Sequence, residues 1–294
     1  MGIFITVLQI VAPVFILAAI GVAWVRLGYD YSVQFVTRLA MTLSVPCLIF
    51  VALMDTEIDR QTLLDTIWAT IAAYGIVTIA FFALLIVLRM SLQTYLAPLI
   101  FGNTGNLGLP LALFAFGDVG LGYAVVIFAI MAIYSFTFGI WMVSGGGAIL
   151  KVLKEPLVWA TLAGGLFLWN DWETPIWLTN AIRLIGQMAI PLMLITLGVA
   201  LARLTPSSLL RSVGLSLVKV AVCAFAAYGA GVWFDLSPVP LAVLVLQTAT
   251  PVAVTSYLLA EKYGANSEEV ASLVVVSTAM SVLSIPIILA FFVG

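Results

Sequence analysis

Apolar residues along this chain fall into long unbroken runs, and polar residues gather in short stretches between them. The runs are Ile3–Val25, Val33–Met54, Leu64–Leu88, Tyr95–Phe116, Leu121–Val143, Leu157–Trp169, Ile176–Ala202, Leu209–Phe234, Val239–Ala260 and Val270–Val293. Each lies near the ~20 residues that a helix needs to cross a bilayer, the sixth being short and the seventh long. None alternates apolar with polar as a membrane β-strand does. The pattern predicts an all-α polytopic membrane protein with ten transmembrane helices.

Two runs are interrupted. The fourth holds Gly102, Asn103, Thr104, Gly105, Asn106 and Gly108 ahead of Pro110, where lipid would favour leucine. Pro110 lacks the N–H that would bond the carbonyl of Asn106. The ninth holds Gln247, Thr248 and Thr250 ahead of Pro251, which frees the Gln247 carbonyl in the same way. Broken backbone at membrane depth persists only inside protein or beside a wet cavity. Two broken helices in matching places mark the binding site of many secondary transporters.

The two halves repeat. Pro13, Pro46 and Pro110 answer to Pro156, Pro191 and Pro251 at offsets of 143, 145 and 141, and an Arg-Leu pair precedes the second match in both halves (Arg38, Arg183). Residues 1–148 and 149–294 therefore form two repeats of five helices, an odd number, so one is inserted upside down relative to the other. Helices four and nine are expected to cross at mid-membrane. The half after each break is expected to begin near Gly108–Pro110 and near Pro251, aiming its N–H groups and positive dipole end at the crossing. That favours an anion. The carbonyl ends of the preceding halves converge there as well, which leaves a cation site open.

Composition agrees with the class: 64% hydrophobic and 8% charged residues, with a mean hydropathy of +1.24, far from a soluble domain. The apolar start to Val25 is too long for a cleaved signal and is expected to be a retained first span. Odd-numbered connections carry Arg26, Arg89, Lys151, Lys154, Arg203, Arg211 and Lys262. Even-numbered ones carry Arg60 beside Asp55, Glu57, Asp59, Asp118, Asp171, Glu173 and Asp235. The positive-inside rule then puts odd loops in the cytoplasm and both termini outside, in a cell (inner) membrane. No nucleic-acid-type basic patch is present. Cys47 and Cys223 read as small buried hydrophobes. The absence of histidine removes the commonest metal ligand and proton shuttle; no metal or other cofactor is expected.

Asn103 leads the candidate ligands, since its amide can donate two hydrogen bonds to a carboxylate. Thr104 and Asn106 accompany it; Gln247, Thr248 and Thr250 supply the second crossing. The same side chains could instead satisfy broken backbone or hold helices together. Pro110 and Pro251 shape the site rather than bind. Asp65, near the outer start of the third run, is the candidate proton site, against the plainer reading of an interfacial charge. Lys219, inside the eighth run, is expected to snorkel toward the cytoplasm. Arg38 and Arg183 read as helix-end anchors, and Trp24, Trp172 and Trp177 as an aromatic belt. Gly145-Gly146-Gly147 suggests a hinge; without a following Lys-Ser/Thr it is no nucleotide loop.

Asn103-Thr104 with Gly108 and Pro110 resembles the fourth-helix motif of the auxin efflux carrier family, and Pro251 through Ala260-Glu261-Lys262-Tyr263, with Pro286 in the last run, resembles its ninth and tenth helices. The resemblance covers essentially the whole chain. It implies an elevator-type carrier, with a scaffold of helices one, two, six and seven and a transport domain of helices three to five and eight to ten, an architecture shared with sodium/proton antiporters and bile-acid symporters. It implies that Asn103 helps to hold a substrate carboxylate, with Ser44 on the scaffold side, and, by analogy only, a homodimer. Asp65-Thr66 matches a third-helix motif of the plant members, but Ala69 stands where they carry lysine.

The expected function is a secondary transporter of a small organic anion, a carboxylate, with the lipid bilayer as its surroundings. Bile-acid-type sodium symporters use an acidic residue near the ninth-helix crossing that this chain lacks, so uniport or proton coupling is preferred to sodium. An ion channel would call for a symmetric pore lined by carbonyls or charge rings. An intramembrane enzyme would call for a catalytic set that a chain without histidine or a buried acid pair does not offer.

Overall fold

Ser32, Asp59 and Ser91 each stand where a polar stretch meets an apolar run, and each starts a helix. Their side chains accept the otherwise unpaired backbone N–H groups of Phe35, Thr62 and Thr94, the usual N-cap arrangement. The bond from the Thr62 N–H, before any other influence, holds the Asp59 carboxyl below its ordinary value. Pro156 and Pro238 open their helices at the first turn, where a missing N–H costs nothing.

The computed structural model describes residues 2–56, 58–144 and 155–293. Its helices are α1 (Gly2–Arg26), α2 (Val33–Leu39), α3 (Val45–Met54), α4 (Arg60–Val87), α5 (Leu92–Ile100), α6 (Leu109–Tyr134), α7 (Ile140–Ser144), α8 (Pro156–Asn170), α9 (Ile176–Gln187), α10 (Ala189–Arg203), α11 (Leu209–Trp233), α12 (Pro238–Thr248), α13 (Val254–Tyr263) and α14 (Ser267–Val293). π-helical turns over Ala40–Ser44, Thr104–Gly108 and Ser135–Gly139 lead into α3, α6 and α7. Among the described residues there is no strand, only one isolated antiparallel bridge between Gly102 and Val252. The suggested hinge at Gly145-Gly146-Gly147, and Lys151 and Lys154, lie outside the described residues.

The chain is a multi-pass, all-helical membrane protein. Among the described residues, seven helical stretches are long and apolar enough to cross a membrane, against the ten expected. The difference lies in interruptions and in the sixth run, whose helix, Pro156–Asn170, holds only 15 residues. The longest stretch, Thr104–Ser144, holds 41 residues and as a straight rod would reach about 60 Å, twice the hydrocarbon thickness. Gly117 breaks it with φ 64° and ψ −155°, a conformation that suits glycine. A Cβ on Gly120 would lie 2.7 Å from the carbonyl oxygen of Ala112. Residues eight apart on a straight helix are separated by about 12 Å, so the chain doubles back at Gly117 and the fourth and fifth runs share this stretch. The ninth run is divided into α12 and α13.

Small residues set the closest helix contacts. A Cβ on Gly198 would meet the Ala18 oxygen at 1.8 Å, and one on Gly21 the Ile195 oxygen at 2.1 Å, so the α1 and α10 backbones touch, as small residues permit in membranes. Gly164 of α8 lies against Leu53 and Phe50 of α3, and Phe50 meets Phe167 edge-on at 5.1 Å. α11 packs on α4, α12 and α14. Arg60 pairs with Asp171 between helix ends at 3.2 Å, and Arg183, inside α9, reaches Asp55 at the end of α3 at 2.6 Å. Trp24 and Trp177, near the ends of α1 and α9, and Trp172, in the connection between α8 and α9, are exposed. Cys47 and Cys223 are free thiols. Lys219 departs from expectation: it is wholly buried and does not snorkel to the surface.

Candidate functional site

The fourth run breaks at Phe101-Gly102-Asn103, ahead of the proline expected to cause it. α5 stops at Ile100, and the next turn starts at Thr104. Pro110 falls inside helical structure, in the first turn of α6. The π-helical turn before it explains this. The Asn103 carbonyl accepts from both Leu107 and Gly108, and this wider turn carries the chain past the carbonyl that proline cannot bond. In the ninth run the break does lie at the proline, between Thr248 and Val254.

The two breaks pair with each other. Gly102 bridges Val252, the Asn103 N–H donates to the Pro251 oxygen at 2.7 Å, and the Ala253 N–H donates to the Phe101 oxygen at 3.4 Å. Backbone groups lost to the helices are thus bonded across the crossing, as burial requires. Gly102 permits the approach: a Cβ there would lie 2.2 Å from Thr250 Oγ1. Thr250 Oγ1 donates to the Gln247 carbonyl at 2.7 Å, replacing the donor that Pro251 lacks. The Val252 N–H donates to Ser277 Oγ at 3.0 Å.

Beside the crossing lies a cavity of about 300 Å³. Gly105 and Asn106, from the first turn after one break, and Val254 and Thr255, from the first turn after the other, both line it. Neither turn has a side-chain cap. Two sets of helix N-terminal N–H groups therefore adjoin one space, an arrangement that favours negative charge. Asn103 also lines the cavity; it is buried and its Nδ2 has no hydrogen-bond partner. Apolar side chains make up most of the wall, among them Phe128, Met131, Met193 and Leu197. No ionisable side chain is among its described lining residues. Val33, Leu157, Ala200 and Leu259 carry the lining toward the ends of helices joined by odd-numbered connections.

Of the expected ligands, Asn103 and Asn106 reach the cavity. Thr104, Gln247, Thr248 and Thr250 are buried behind it in the crossing. Gln247 packs on Gly108, where a Cβ would fall 2.0 Å from its Oε1, and Thr248 bonds its own helix at Leu244. Thr104 Oγ1 and Gln247 Oε1 have no partner. Ser44, buried in the turn before α3, also lacks a partner and is not on the lining. Asp65 is half-buried, away from the cavity, and accepts from Gln61 at 3.0 Å. Thr37, Ser135, Thr196 and Thr255 supply polar lining that the sequence did not single out. Thr255 could have been found from its place just after a break; the others sit in uninterrupted runs and give no such signal.

The family model described as "Membrane transport protein" matches residues 6–163 and 144–289. The chain is 25% identical over 265 residues, 83% of its own length and 82% of the relative's, to a protein of Rhizobium meliloti (strain 1021) named "Putative malonate transporter".

Proposed function

From the premise that this chain belongs to the membrane transport protein family, the auxin efflux carrier group, we propose that it is a secondary carrier of a small organic anion, a carboxylate, working by alternating access. The observation that carries this is the cavity shared by two uncapped helix N-termini and the unpartnered Asn103 amide. A bound carboxylate would give Asn103 Nδ2 and the first N–H groups of both turns the acceptor they lack. Such hydrogen bonds to charge are roughly twice as strong as neutral ones. The relative's name points to carboxylates, in line with this chemistry.

The architecture we propose is ten spans in two inverted five-helix repeats, residues 1–148 and 149–294. The contacts of α1 with α10 and of α3 with α8 support a scaffold of the first, second, sixth and seventh spans. Those of α11 with α4, α12 and α14 support a separate transport domain. With odd connections in the cytoplasm, the cavity opens inward, and movement of the transport domain past the scaffold would expose it outside. Asp65 remains the candidate proton site; it lies on α4, within the same transport domain as the crossing and away from the cavity lining. Sodium coupling of the bile-acid type is the second reading; the lack of an acid on the cavity lining disfavours it.

Purified protein in proteoliposomes tests the proposal, with radiolabelled carboxylates screened by thermal stabilisation. Saturable uptake that accelerates in counterflow is expected. Single-channel currents, or no uptake of any stabilising anion, would overturn it.

A further inference from the structure

α4 and α11 meet along a polar seam. On α11, Ser212, Ser216, Lys219 and Cys223 follow at spacings of four, three and four, which puts them on one face, and all four are buried. Opposite them α4 buries Thr66, Thr70 and Tyr74. The two threonine hydroxyls bond their own helix, but the hydroxyls of Ser212, Ser216 and Tyr74 have no partner. Lys219, 0% exposed, extends its Nζ to 3.8 Å from Cys223 Sγ, which in turn lies 4.0 Å from the Leu99 oxygen. Among the described residues the ion pairs are Arg60–Asp171, Arg183–Asp55 and Arg211–Glu269, and none includes Lys219.

A cation held away from both water and carboxylates needs another source of negative potential. Leu99 belongs to the last turn of α5, which ends at the crossing. Its terminal carbonyls carry the negative end of that half-helix. α12, the other half-helix that stops at the crossing, packs on the same α11. Carbonyl ends of this kind coordinate the coupling cation in carriers built from broken helices.

We propose that Lys219 is the resident cation of this crossing. Its tethered ammonium supplies the positive charge that an exchangeable sodium ion would otherwise bring to the carbonyl ends, so that the carrier binds and moves its anion without sodium. The inference rests on the carrier reading and assigns its coupling site.

Lys219→Ala should vacate the position, and Lys219→Met should fill it without charge. In choline buffer both variants are expected to lose at least about 10-fold of the parent's uptake, the scale of one lost charge-assisted contact. Sodium or methylammonium should raise the thermal midpoint of Lys219→Ala, with no carboxylate present, and restore its uptake. Neither cation should affect the parent or Lys219→Met. Uptake by Lys219→Met within two-fold of the parent would overturn the proposal. So would a monodisperse Lys219→Ala whose midpoint answers to neither cation. Should Lys219→Ala fail to fold, the Lys219→Met comparison decides. Because the midpoint is read without carboxylate, its failure bears on Lys219 alone, whereas a parent that takes up no carboxylate bears on the carrier reading.

Discussion

Replacing Asn103 by alanine should move binding and stability in opposite directions. In the ligand-free protein Asn103 Nδ2 is buried without an acceptor, a condition that costs about 1–3 kcal/mol. Alanine removes that penalty and leaves a small void in its place, so the unliganded variant should match or exceed the parent in thermal midpoint. With a carboxylate bound, the parent gains a hydrogen bond to charge that the variant cannot make, worth about 1.5–3 kcal/mol. Dissociation constants should therefore rise about 10- to 150-fold. Titration calorimetry with the best-stabilising carboxylate, beside thermal unfolding of both proteins without ligand, measures the two effects. A variant that binds as tightly as the parent, or is several degrees less stable when empty, would refute the reasoning. The first result would mean that the amide does not touch the anion, and the second that it holds up the crossing.

Gly102→Ala would drive a methyl group to 2.2 Å from Thr250 Oγ1 and part the paired breaks; overpacking of this kind costs about 1–3 kcal/mol, readable as a lower thermal midpoint, and uptake should fall with it. The cavity offers helix N-termini at one end and Phe128, Met131 and Leu197 along its wall, so a monocarboxylate with an apolar body should compete for uptake better than a dicarboxylate of similar size; equal competition by malonate would argue against this. Arg60 joins α4 to the end of α8 through the Trp169 oxygen at 2.8 Å and Asp171 at 3.2 Å. Exposed pairs contribute about 0.2–1 kcal/mol, so Arg60→Ala should raise outside labelling of a cysteine placed at Asn106 by no more than about five-fold. Asp59, whose carboxyl is held below its ordinary value of 3.8 by the Thr62 N–H, stabilises the start of α4 above that value and loses the effect as pH falls through its lowered one. The midpoint difference between parent and Asp59→Ala should therefore vanish in acid, and a difference unchanged by pH would exclude the cap as its source.

Much of this protein was legible in its residues, because hydropathy is a local property. A run such as Val33–Met54 is too apolar to lie in water, whatever its neighbours, and its observed helical stretch has those same bounds. Glycines, amides and prolines in the fourth and ninth runs marked the stretches where helices would fail, since a missing N–H or Cβ acts within a turn of itself. Where each break falls is another matter. Pro110 looked like the cause, yet the π-helical turn before it absorbs the defect, and the chain parts at Phe101-Gly102-Asn103, where Val252 and Pro251 supply backbone partners. The fate of Lys219 was equally out of reach. A lysine nearly three turns inside a run can reach the interface or remain buried, and only the packing of α4 and α5 around it decides which. The residues themselves determined the class, most of the apolar helical stretches and the region of the two breaks. The tertiary structure alone decided which side chains share the cavity and which charge stays within the bundle, because those depend on contacts between stretches more than a hundred residues apart, as from Leu99 to Cys223.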